Sequence, residues 1–212
     1  MGRFRSWLAG AVLLLTGTLA VAGVYEDMLH AVNNDDERTV AELLKRGVDV
    51  NTVGPDGDSL LMLAARHGKA EMVKTVLAAN PRVNVRNAHG ETALMMAALR
   101  GHIEVVRQLL ARGAEVDHAG WTPLIYAAAR NRLDIARILV SQGARPNAQA
   151  ANGTTALMMA AREGHVQMVL LLMELGADIK QKNDDGFTAL GLARDYGRRD
   201  VAELLARAGA TE

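Results

Sequence analysis

An all-α solenoid of about six stacked helix-turn-helix units is the fold this sequence predicts, and three observations predict it. A glycine, one residue, then Ser/Thr-x-Leu and an Ala-rich run recurs five times, with marker glycines Gly57, Gly90, Gly120, Gly153 and Gly186 spaced by 33, 30, 33 and 33 residues. A period of that size signals small units stacked in a row. Half of the residues are hydrophobic but only 3% are aromatic, so the core must be built from Ala, Leu, Val and Met, as helices packed closely on helices allow. Between markers the chain reads as two short helices and an extended loop.

The chain opens differently. Arg3 and Arg5 precede the apolar stretch Trp7 to Leu15, and Ala20-Val21-Ala22 follows. A basic start, a short apolar middle and an Ala-x-Ala end follow the plan of a secretory signal peptide. Residues 1–22 are therefore expected to be removed after Ala22, leaving a mature chain from Gly23. An uncleaved anchor is the alternative, because Trp7 to Val24 barely spans a bilayer of roughly 30 Å. Cleavage would turn the balance of 24 basic and 24 acidic residues into 22 against 24. A near-neutral chain lacks the basic stripe that nucleic-acid binding needs. With no cysteine, disulfides, thiolate catalysis and Cys-ligated zinc are excluded.

The unit from Gly90 shows how each element arises. Thr92 caps a first helix over the Ala93-Leu94-Met95-Met96-Ala97-Ala98 run, and Gly101 ends it in the left-handed conformation. Ala97 and Ala98 are small enough for neighbouring first helices to approach. Ile103, Val106, Leu109 and Leu110 form one face of a second, antiparallel helix, closed by Gly113. Asn131 replaces the inter-helix glycine of the fourth unit, a residue that tolerates positive φ. The interval of 30 arises because Gly113 and Gly120 are seven residues apart where Gly176 and Gly186 are ten apart, which predicts a notch beside Trp121.

These residues resemble the ankyrin repeat. Thr122-Pro123-Leu124, the Ala pairs, Gly101-His102, Gly164-His165 and Gly47-Val48-Asp49-Val50-Asn51 match its pattern, and the match covers residues 24 to 210. The resemblance implies an ankyrin-repeat solenoid of about six helix-turn-helix repeats with short β-finger loops, over residues 23–212. Repeats are expected at about 24–54, 55–87, 88–117, 118–150, 151–183 and 184–212. The family histidine of Thr-Pro-Leu-His is replaced by Met62, Met95, Ile125, Met158 and Gly191, so its loop hydrogen bonds are expected to be missing.

The resemblance further implies a non-catalytic protein-binding module whose concave face, made of fingers and first-helix ends, takes another protein. Carried over residue by residue, the candidates are His89, Glu91, His118, Trp121 and Phe187 on fingers, and Arg66, His67, Arg100, Arg130, Arg162 and Tyr196 on first-helix ends. Trp121 can anchor a partner or fold back over the shortened loop. Arg66, Arg100, Arg130 and Arg162 read as a row that clamps carboxylates, or as a solvated, self-paired face.

Metal binding and catalysis fare poorly. Adjacent residues such as Met95 and Met96 point about 100° apart on a helix and cannot face one metal, so they read as core. His89 and His118 fall on neighbouring fingers without further ligands at zinc spacing. Ser59 and Ser141 are the serines after the signal segment, and no nucleophile elbow, phosphate loop or His-Glu-x-x-His motif occurs. No enzyme, cofactor or metal is expected. The chain resembles exported ankyrin-repeat proteins of Gram-negative bacteria, which implies a monomer, periplasmic or secreted, with membrane contact only through an uncleaved N-terminus. Two further roles remain open, an accessory subunit stabilising a periplasmic enzyme and a membrane-tethered scaffold.

Overall fold

The computed structural model describes residues 23–211; the expected signal segment lies outside them. Residues 23–33 form α1, and α2 is Glu37–Lys45. Five further pairs follow: α3 Leu60–His67 with α4 Ala70–Ala78, α5 Ala93–Arg100 with α6 Ile103–Ala111, α7 Pro123–Ala129 with α8 Leu133–Ser141, α9 Ala156–Glu163 with α10 Val166–Glu174, and α11 Ala189–Asp195 with α12 Arg199–Arg207. No strands occur among the described residues; the fingers are loops with one isolated antiparallel bridge, Val53 to Ser59. None of these helices is long and apolar enough to cross a membrane.

From α3 onward each first helix begins the same way. Ser59, Thr92, Thr122, Thr155 and Thr188 accept the N–H three residues on, which satisfies one of the free donors of the first turn. At two of the five positions where the family histidine is replaced, a methionine corrects the expectation of lost hydrogen bonds. The sulfurs of Met62 and Met95 accept the N–H of Ser59 at 3.4 Å and of Thr92 at 3.2 Å, completing a capping box with a thioether. Gly68, Gly101 and Gly164 end α3, α5 and α9 in the left-handed region, and Asn131 does so after α7 with φ of 53°.

The first helices form a continuous inner layer and the second helices flank it more loosely. Ala64, Ala65, Ala97, Ala98, Ala127, Ala128, Ala160 and Ala161 are fully buried, which is what the close approach of first helices requires. The face of α6 is rotated from its expected position: Val105, Val106 and Leu109 are buried, Leu110 is half-buried and Ile103 is exposed. Ile103 stands in the first turn, at the edge where the inter-helix loop meets solvent.

A row of donors ties the pairs together at that edge. The residue before each second helix reaches back one repeat: Lys69 pairs with Asp35 at 2.8 Å, and His102 Nε2 lies 3.1 Å from the Arg66 carbonyl. Arg132 donates to Leu99, His165 Nε2 lies 3.2 Å from the Ala129 carbonyl, and Arg198 donates to Arg162 at 2.9 Å. A carbonyl only accepts, so both histidines carry their proton on Nε2. The four donors after Lys69 satisfy orphan carbonyls at the C-terminal ends of first helices, where positive charge opposes the negative end of the helix dipole.

Candidate functional site

The aromatic residues stand apart from the fully buried core, three exposed and two half-buried. The buried core is aliphatic and methionine throughout, and the five described aromatic side chains, Tyr25, Trp121, Tyr126, Phe187 and Tyr196, all lie outside it, at the fingers or along the first helices. Large rings normally bury in cores. Here Trp121, Phe187 and Tyr196 are 37%, 39% and 50% exposed.

Trp121 and Phe187 occupy one structural position, the residue before the cap of α7 and of α11. Trp121 packs on Tyr126, four residues past the cap, with ring centroids 5.4 Å apart and planes at 43°. This is the geometry of a hydrophobic staple. It holds the indole in place while leaving over a third of it in solvent. Phe187 lies over Gly191, where a methyl group would meet its ring at 3.5 Å. Tyr196 ends α11, and the Arg162 guanidinium of the preceding repeat stands over its ring at 5.1 Å.

The expected row of four arginines separates into two pairs. Arg66 and Arg162 stand seven residues past their caps and are partly buried: Arg66 pairs with Asp58, while Arg162 lies 3.4 Å from Glu163. Arg100 and Arg130 stand one residue further on and are exposed, and no ion pair forms to either among the described residues. His67 shares their position and is exposed. Partial burial first, then Arg66, Lys69, Arg100 and His102, push its pKa below the usual imidazole range.

Polar side chains connect three repeats across the same surface. Asp58 accepts from Arg66 and from Asn87 at 2.8 Å; Asn87 donates to Glu91 at 3.1 Å, and the Tyr126 hydroxyl donates to Glu91 at 3.1 Å. Burial of Tyr126, then the adjacent Glu91 carboxylate, pushes the phenol up to about 12. Glu91 was a candidate from sequence, but Tyr126, Asn87 and Tyr25 were not. The signal for Tyr126 was present: a ring four residues past a capping threonine that itself follows a tryptophan.

At the fingers, His89 is exposed and its N–H donates to Asn87, while His118 is half-buried with Nδ1 3.1 Å from the Ala119 carbonyl. Among the described residues, no three His, Cys, Asp or Glu side chains group as metal ligands would. The surface offers rings, guanidinium groups and a fixed polar network.

A sequence model described as ankyrin repeats (3 copies) matches the chain at residues 28–119, 80–150 and 143–211. No curated protein matches it.

Proposed function

The chain belongs to the ankyrin-repeat family, whose repeats generally mediate protein–protein interaction, and from that premise we propose that it is an exported, non-catalytic binding module that holds another protein on its concave face. The observation that carries this reading is the placement of every described aromatic ring on the finger and first-helix side, outside an aliphatic core. Exposed rings fixed by neighbours are the groups that concentrate binding energy, because they bury large area with few rotors to freeze. Trp121, Phe187 and Tyr196 are the anchors, with Arg162 held over Tyr196. Arg100 and Arg130, which form no ion pair among the described residues, supply charge toward the partner. Arg66 and Glu91 contribute by holding the polar network, and His67, His89 and His118 border the face.

The test is a photo-crosslinking residue placed at Phe187, at Tyr196 or at the exposed Leu170 of α10, expressed in the native cell envelope. Crosslinks to one protein from the first two positions and not from Leu170 are expected; the reverse pattern would sink the assignment. Export itself is read by intact mass, which should show a chain beginning at Gly23. Retention of residues 1–22 would favour the membrane-tethered scaffold instead.

A further inference from the structure

The finger before α7 has lost one of its arms. In the other fingers two jobs belong to two residues three positions apart. Asn51, Asn84 and Asn147 accept a main-chain N–H of the next repeat, from Arg82, Glu115 and Asp178 at 2.7 to 2.9 Å. Gly54, Asn87, Ala150 and Asn183 close the hairpin, donating N–H to the carbonyl four residues on and accepting from the marker glycine. In the short finger both places fall on Asp117, four residues after Gly113 and three before Gly120.

Asp117 performs the first job only. Its Oδ2 accepts the N–H of Arg145 at 2.9 Å and its Nε at 3.0 Å. The Gly120 N–H and Trp121 C=O, the hairpin pair elsewhere, have no partner among the described residues. The tips are also uncoupled here. Ala88 donates to Asp56 at 2.9 Å and Asp184 to Asn152 at 3.1 Å, yet the corresponding His118 N–H and His89 C=O have no partner among the described residues. Asp117 Oδ1 and His118 Nε2 are buried without partners as well. Since His118 Nδ1 faces a carbonyl and must hold the proton, Nε2 is a bare acceptor.

We propose that this vacant arm is a docking slot in which an extended segment of a partner protein replaces the missing residues. The proposal rests on the reading that the finger side binds protein, and it specifies the form of that partner. A helix does not fit the role, because its own N–H and C=O groups are consumed internally. An extended chain presents both, at a strand spacing of about 4.8 Å, and three residues cover about 10 Å. Its N–H groups would meet Trp121 C=O and its C=O groups Gly120 N–H, completing the hairpin as added strands complete sheet edges. An apolar residue on the segment covers the exposed part of the Trp121 ring.

The deciding variant inserts Ala-Gln-Ala after Asp117, copying Ala148-Gln149-Ala150 of the next finger. Helical circular dichroism should be retained, and the melting temperature should hold or rise. Linear peptides selected by phage display on the wild-type chain should lose about tenfold or more in affinity for the variant. In the wild-type complex the Gly120 amide should become protected from hydrogen exchange. Peptides that bind the insertion variant unchanged, or that leave Gly120 unprotected, overturn the slot. If the same peptides are lost on Trp121→Ala, the concave-face reading survives; if they are not, both fall. Failure to select any peptide above background overturns the slot, as do wild-type dimers abolished by the insertion, which would give it to a second copy.

Discussion

Leu109 is fully buried in α6, and Leu109→Ala should cost about 2–5 kcal/mol in a denaturant melt. A loss under about 1 kcal/mol would show that the helix face had collapsed around the gap. Tyr126 gives a second residue-scale test. Its phenol titrates near 12 in the fold against 10.0 ordinarily, so the folded state holds a proton that the unfolded chain has already released. That contribution is complete below pH 10 and disappears as pH rises through 12. Titration of tyrosinate absorbance should show one late group, and Glu91→Gln should bring it partway back, since burial is the larger cause. Leu109 was legible in the sequence because helical spacing alone buries it. The Tyr126–Glu91 bond joins residues 35 apart, and no local pattern records it. Ile103 misled for a related reason: periodicity defines a stripe, while the neighbouring repeat decides which end of the stripe is covered.

At the scale of elements, caps and breaks were the most readable features. Ser and Thr before Ala-rich runs, and Gly or Asn after them, act through bonds within a few residues of themselves. The ladder of Asn51, Asn84, Asp117 and Asn147 was not readable as a ladder, since each bond joins neighbouring repeats. The arginine row splits into one self-paired and one solvated pair because residues spaced by nearly one repeat need not share a register. One finger element yields a sharp test. Gly153 has φ of 75°, and a methyl group there would stand 2.9 Å from the Asn183 Cα and the Asp184 N. Gly90 has the same φ and open space around it. Gly153→Ala should therefore lower stability by more than Gly90→Ala, which carries only the left-handed cost of about 1 kcal/mol. Equal losses in matched melts would mean that tip-to-tip contact between fingers has no energetic role.

For the whole molecule, contacts run between adjacent repeats, so stability accumulates along the array. Leu205 in α12 is as buried as Leu109, but among the described residues a repeat packs on one side of it only. Leu205→Ala should broaden the thermal transition and fray the end while the interior melts close to its original temperature; a uniform shift matching that of Leu109→Ala would show one cooperative block. The aliphatic core also determines what can be observed. Trp121 is the one tryptophan among the described residues, and it stands in the shortened finger with its indole partly in water. Its fluorescence therefore reports the staple on α7 and whatever settles against that finger, and not the packing of the other repeats. An unfolding experiment followed by emission would under-report the melting of the array, whereas a titration followed by the same signal would read occupancy directly, with no label attached.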